Sequence, residues 1–354
     1  MLKLCITFDY ELFLGENYVA EKEVLFDPSQ RLADVLAEED VRATYFADVC
    51  SVFQYQKYGV DSYTDQFADQ ICKLHQAGND IQLHIHPNWL NSTYENGKWV
   101  ISTKGYKLHD FDLNENGYGR HLLRQGKEYL ENTLRSVDDT YRCIAYRAGG
   151  FCIQPEEKLF EALLENGIVI DSSVAQKQVA VATVQDYNFR NIPKELSWWM
   201  TPADGFSKAV PRQENALYEV CIGGVRNNPF KFLGISKSCL RVRGRKGIGC
   251  GMKVEGVKIS ALKRRIKNIK RHLWSYGILS LDTRGYRVLM RDIDELYRRY
   301  RCDEKDQFVS IICHPKLASD EVIENMRRFI REVKKESDRY QFATMSDIAK
   351  DIGV

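Results

Sequence analysis

The chain lacks any run of apolar residues near the ~18 to 20 that a membrane-spanning helix requires, and that absence excludes an integral membrane segment. It also lacks a dominant charge. Lys and Arg total 51 against 49 Asp and Glu, a formal net charge of +2, which leaves no global field for gripping nucleic acid or another polyanion. Ten cysteines are present but no CxxC pair, and several sit in apolar, strand-like runs such as Ser310-Ile311-Ile312-Cys313. Thiols placed in this way read as buried and reduced, pointing to a cytoplasmic protein and away from a zinc knuckle. The opening segment meets Asp9 before it can build the apolar stretch and cleavage site of a signal peptide, so it reads as a first strand. No glycine-rich phosphate loop follows that strand, which argues against a doubly wound nucleotide-binding sheet.

What is present is a rhythm. With 354 residues, 44% of them hydrophobic, the chain has ample material for a core, and its apolar patterning alternates between short β-rich runs and amphipathic stretches. Strands are expected over 3–9, 42–47, 80–86, 141–146, 168–171, 278–282, 308–314 and 341–342. Helices are expected between them: one opening at an Asp27 N-cap with Pro28 behind it, one from Thr64 to Gly78, and others over 122–134, 155–164, 292–300 and 319–335. Seven or eight such units are what a closed or nearly closed (β/α) barrel needs. Two stretches break the rhythm. A flap of about 87–119 carries an Asn96-Gly97 hairpin turn between Tyr94 and Trp99, and a longer insertion spans about 175–257. A basic stretch over 263–271 reads as a solvated helix face.

In such a barrel, functional groups gather at the C-terminal ends of the strands. Asp9 and Glu11 end the first strand, and the period of two points both carboxylates to one side. His84 and His86 end the third with the same period, and Pro87 stops the strand behind them. Two imidazoles beside a carboxylate make a ligand set that zinc, cobalt, nickel or iron accepts, and a chain with seven histidines spends two of them here. Arg147, followed by Ala148-Gly149-Gly150, can hold a carboxylate through a bidentate contact, the glycines favouring a tight turn that brings it into the site. His314, also braced by a following proline, stands where an imidazole can act as general acid. Asp171, ending the strand before Ser172-Ser173, is expected to support substrate binding, and Trp89 offers a surface on which a sugar can stack.

Taken in order, Thr7-Phe8-Asp9-Tyr10-Glu11, Leu83-His84-Ile85-His86-Pro87, Tyr146-Arg147-Ala148-Gly149-Gly150, Asp171-Ser172-Ser173 and Cys313-His314-Pro315 resemble the motifs of polysaccharide deacetylases of the carbohydrate esterase family 4 type. The resemblance runs from residue 3 to about 350. It implies one deacetylase-like domain over 1–354, an irregular (β/α) barrel of about seven strands with a long insertion. The family's first motif is TFDDG, with the first Asp as base and the second on the metal; here Tyr10 stands in place of the second. Its second motif is HxxxHP where this chain has HxHP, and its third is RxPxG where this chain has Arg147-Ala148-Gly149-Gly150. These departures are similar to those of a divergent branch associated with surface-polysaccharide or O-antigen biosynthesis.

The resemblance implies removal of an acetyl group, N-linked or O-linked, from a sugar, a glycan or a carrier-linked sugar. A divalent metal, zinc foremost, would rest on His84, His86 and a carboxylate. Either Asp9 is the ligand and Glu11 the base, or Glu11 has taken the missing Asp's place. Arg147 would orient the base, His314 would protonate the leaving amine, and Tyr10, Trp89, Gly149 and Asp171 would contact substrate. Two other readings stay open: a metal-dependent barrel hydrolase cutting a glycosidic or another amide bond, and a non-catalytic glycan-binding barrel. Metal content and acetate release separate the three.

Overall fold

The computed structural model describes residues 1–13, 20–182, 184–228, 235, 241–245 and 275–354. The expected helix face over 263–271 and the insertion from 229 on, save 235 and 241–245, therefore lie outside the described residues. The described strands are β1 (Leu2–Tyr10), β2 (Thr44–Asp48), β3 (Asp80–Ile85), β4 (Thr93–Glu95), β5 (Lys98–Val100), β6 (Ala145–Ala148), β7 (Ile170–Asp171), β8 (Val179–Ala182), β9 (Gln185–Asn188), β10 (Ser197–Met200), β11 (Leu217–Val220), β12 (Gly224–Arg226), β13 (Tyr276–Ile278), β14 (Gln307–Cys313) and β15 (Tyr340–Phe342). The described α-helices are α1 (Asp27–Glu38), α2 (Val49–Lys57), α3 (Asp61–Gln76), α4 (Tyr118–Leu134), α5 (Glu157–Glu165), α6 (Tyr286–Arg299), α7 (Asp320–Lys334) and α8 (Met345–Ile352).

A nine-stranded sheet carries the fold. Its path runs β10-β11-β7-β6-β3-β2-β1-β14, with β15 added on β1. Every pairing from β11 to β14 along that path is parallel, and only β10 runs against its neighbour. The free edges then meet. Ser310 of β14 donates its N–H to the Cys221 carbonyl at 2.9 Å and accepts from the Gly223 N–H at 3.1 Å, so the chain leaving β11 bridges back to β14. Leu281 and Ile312 extend the seam through an N–H to carbonyl bond of 2.9 Å. The result is the irregular (β/α) barrel that the alternation predicts.

Helices cover the outer face, so β1 and β14 are buried along nearly their whole length. That is why both read as continuous apolar runs rather than as alternating ones. The α7 stripe of Val322, Met326, Phe329, Ile330 and Val333 packs inward, and the Ser319 side chain caps the helix by accepting from the Val322 N–H at 3.2 Å.

Two local expectations need correcting, and one helix was not expected. Asp27 is not an N-cap: a π-turn over Lys22–Phe26 leads directly into α1, and Asp27 has helical dihedrals. The second expected helix begins at Asp61 rather than Thr64, because Asp61 supplies the first-turn acid and its carbonyl takes the Thr64 hydroxyl at 2.8 Å. Between β2 and α3 stands α2, whose Val49, Val52 and Tyr55 are buried and whose first turn is capped by Asp48. The hairpin turn at Asn96-Gly97 forms as expected, joining β4 to β5, with Trp99 packed against Tyr55 at 4.6 Å between ring centroids.

Candidate metal centre and acid-base site

β6, β3, β2, β1 and β14 are successive neighbours in the sheet, so their C-terminal ends bring the chemical residues of distant segments together. His84 pairs with Arg147 across β3 and β6, and with Asp48 across β2 and β3. The period of two holds. Asp9 and Glu11 both face the barrel mouth, while Tyr10 between them faces outward and donates its hydroxyl to Gln70 at 2.7 Å.

Glu11, His84 and His86, all buried, each offer an atom within 4.8 Å of the others. Glu11 Oε2 lies 2.5 Å from His86 Nε2 and 3.4 Å from His84 Nε2. The tautomer of His84 follows from its other nitrogen. Nδ1 lies 2.8 Å from the Arg147 carbonyl, which can only accept, so Nδ1 carries a proton and Nε2 is the nitrogen turned toward Glu11. Two imidazole nitrogens and one carboxylate oxygen form a set that zinc, cobalt, nickel or iron accepts, so the residues fit a divalent metal.

The second carboxylate is held apart from this cluster. Arg147 donates from Nη1 to Asp9 Oδ1 at 2.7 Å and to the Thr7 hydroxyl at 2.8 Å, from Nε to the Ser172 carbonyl at 2.8 Å, and from Nη2 to the Ser172 hydroxyl at 2.8 Å. Its guanidinium also stacks 4.2 Å from the Phe46 ring centroid. Burial pushes the Asp9 pKa up, but Arg147, with His84 and His314, outweighs it and leaves the carboxyl below its ordinary range. Glu11 is driven well below its own range by Lys316 and His86, again against its burial.

His314 closes the group from β14. Its Nδ1 lies 2.7 Å from Asp282 Oδ2, while Nε2 faces Asp9 Oδ2 at 3.7 Å and Glu11 Oε1 at 3.9 Å. Burial disfavours the imidazolium, yet Asp282, then Asp9 and Glu11, raise the His314 pKa above its ordinary value. At 23% its side chain is the most exposed of these groups, so a substrate entering the mouth reaches it.

Arg147, Asp9, Glu11, His84, His86 and His314 thus converge. Gly149 borders them: a Cβ there would sit 2.6 Å from the Ile85 carbonyl and 2.8 Å from His86 Nδ1, so only glycine lets this turn pass the His86 ring. Tyr10, Trp89 and Asp171, expected to contact substrate, are placed elsewhere. Tyr10 packs on Tyr45 and Phe67, Trp89 is buried among Phe13, Tyr55 and Trp99, and Asp171 lies beneath the site between Ser173 and Glu219. Large aromatic rings fill the core beneath the flap because nothing smaller would.

Sequence reasoning missed Asp48, Asp282 and Lys316. Asp48, which ends β2, accepts the His86 N–H at 3.0 Å through Oδ1, while its buried Oδ2 and the buried His86 Nδ1 have no partner. Lys316 donates to Glu11 Oε1 at 2.6 Å. Asp48 obeys the same strand-end rule that singled out Asp9, Asp282 follows the bridge of Ser280 to Ile312 where the sequence predicts a strand over 278–282, and Lys316 stands two positions past His314.

No family model matches the sequence, and no curated protein does. Solved structures of similar shape exist. Puue allantoinase superposes with a TM-score of 0.51 at 14% identity, over 99% of this chain and 89% of that one. A Mycobacterium smegmatis protein assigned as a polysaccharide deacetylase gives 0.46 at 16%, again over 99% and 89%. A family 4 acetyl xylan esterase from Clostridium thermocellum, solved with a cobalt ion, gives 0.24 at 14% over 51% of this chain and 63% of that one. At 14% identity the likeness to the allantoinase is one of fold alone. Among the described residues, no helix is long and apolar enough to cross a membrane.

Proposed function

We propose that this chain is a metal-dependent hydrolase that removes an N-acetyl group from a sugar, free or carrier-linked, during the making of a surface polysaccharide or O-antigen. One observation carries the reading. At a single barrel mouth, a two-histidine, one-carboxylate cluster stands beside a carboxylate held by Arg147 and an imidazole held by Asp282. The ordered motifs that resemble those of polysaccharide deacetylases point to the same chemistry, and they supply the sugar and the acetyl group.

Glu11, His84 and His86 would hold the ion, zinc first among those the donors accept. When bound, it supplies the Lewis acidity that polarises an acyl carbonyl and makes water acidic. Asp9, kept ionised by Arg147, takes the proton of the attacking water through Oδ2. Of the two assignments the sequence left open, this is the one the geometry favours: the free oxygen of Glu11 faces both imidazoles, whereas the free oxygen of Asp9 faces His314. His314 then gives its Nε2 proton to the departing amine, and Asp282 on Nδ1 keeps the ring turned toward it. One water is consumed, the carbon–nitrogen bond breaks, and acetate and an amino sugar leave. The flap and the insertion are proposed to shape the sugar site. The eight described cysteines are all unpaired, which supports a reducing, cytoplasmic setting.

The test is metal analysis coupled to acetate release from N-acetylated sugars, nucleotide sugars, O-acetylated sugars and non-carbohydrate amides. Acetate is expected from an N-acetylated sugar. His84→Ala and His86→Ala are expected to lose metal and activity together, while His314→Ala keeps metal and slows by ~100-fold or more. Metal without acetate from any sugar overturns the substrate, and failure to load any metal overturns the mechanism.

A further inference from the structure

Lys316 places an ammonium against one of the proposed metal ligands, and it is as buried as they are, at 2% exposure. It stands in the short turn Pro315–Leu317 after β14, fixed by a Leu317 N–H to His314 carbonyl bond of 2.9 Å. From there Nζ reaches Glu11 Oε1 at 2.6 Å and the Leu12 carbonyl at 3.3 Å. The other Glu11 oxygen, Oε2, is the one that faces His84 and His86. The carboxylate is therefore divided, one oxygen toward an ammonium and one toward the two imidazoles.

Resting on the metal-site reading above, we infer that Lys316 is a positioning residue that confines Glu11 to single-oxygen ligation and holds metal affinity down by cancelling the ligand's charge. Two consequences of the arrangement support this. An oxygen already accepting a charge-assisted hydrogen bond at 2.6 Å is a poor second ligand, so the ion meets one oxygen rather than a chelating pair. Arg147 treats Asp9 in the same way, taking Oδ1 and leaving Oδ2 toward His314. Glu11 and Asp9 are answered one for one by Lys316 and Arg147, so a divalent ion entering between Glu11, His84 and His86 meets a carboxylate whose charge Lys316 already offsets. In a buried site, where Coulomb interactions are weakly screened, that offset sets affinity. An ion whose ligand charge is already spent stays more electrophilic toward substrate.

The experiment is a metal titration in competition with a chromophoric chelator, using zinc and then cobalt, on the full chain and on Lys316→Met, Lys316→Gln and Lys316→Arg. Lys316→Met is expected to bind on the order of tenfold more tightly, or better, and to gain more in melting temperature on loading than the parent does. Lys316→Gln, which keeps a donor for Oε1 but not the charge, is expected to shift the same way and serves if Lys316→Met does not fold. Lys316→Arg is expected to return parental affinity. A lysine that merely props the loop predicts the opposite sign, so equal or weaker binding by the neutral variants overturns the inference while leaving the metal site intact. A parent chain that binds neither ion overturns the site and the inference together.

Discussion

The two ends of the barrel sheet are equally rich in buried polar groups and treat them in opposite ways. At the N-terminal end, Asp80 accepts from the Thr44 hydroxyl, the Gln82 amide and both the hydroxyl and the N–H of Ser346. Nearby, Glu131 is answered by Lys127, by Arg135 and by the Cys143 N–H, and Asp138 by His75 and Thr140. A cleft of about 1210 Å³ opens here, and apart from His75 Nδ1 no buried side-chain polar atom of its lining lacks a partner. At the C-terminal end the groups converge without completing one another: Asp48 Oδ2 and His86 Nδ1 are unpaired. Size of cavity does not mark the working end; unfinished hydrogen bonding does.

The contrast breaks most visibly at the ion pairs. Arg147→Met strands Asp9 in a fully buried setting and is expected to cost about 3–5 kcal/mol of unfolding free energy. Lys127→Met at the other end leaves Glu131 with Arg135 and water, and about 1 kcal/mol or less is expected. Urea unfolding of both reads the difference, and equal losses would erase the distinction between the ends. Metal affinity gives a second cut. Asp48→Asn removes the charge standing behind His86 and is expected to weaken metal binding by about 10–100-fold. Asp80→Asn, a neighbouring buried carboxylate whose partners are all local, should lower stability and leave chelator competition unchanged.

The sequence announced the working end better than the resting one, for a physical reason. A parallel strand ends at a turn, and the period of two tells which of its last residues share a side, so Asp9 with Glu11 and His84 with His86 were legible from spacing alone. The barrel too was legible, because strands buried on both faces leave uninterrupted apolar runs. What spacing does not carry is which carboxylate takes which cation. The division of labour between Glu11 and Asp9 depends on Lys316 and Arg147, which arrive from positions 305 and 138 residues away along the chain. Nor does an aromatic residue declare whether it stacks on a ligand or on its neighbours. Trp89 lies three positions past His86 and reads as a sugar platform until Tyr55 and Trp99 are seen to enclose it.

A finer test lies between the two ends, where Asp171 of β7 and Glu219 of β11 sit opposite each other in register. Burial raises both pKa values; Asp171 pushes that of Glu219 further, well above its ordinary range, while a hydrogen bond with Glu219 draws that of Asp171 back, so the pair is expected to share a proton. The sign follows from linkage. A carboxyl whose folded pKa lies above its unfolded value contributes stability in full below the ordinary glutamate pKa of about 4.3. It loses that contribution as the pH climbs through the folded value. Glu219→Gln supplies a permanent donor to Asp171 and cannot ionise. The stability of the parent is therefore expected to fall relative to the variant as the pH rises from about 4.5, with urea midpoints as the readout. Parallel curves would mean that no proton is shared, and the layer under the site would then belong with the finished hydrogen bonding of the resting end.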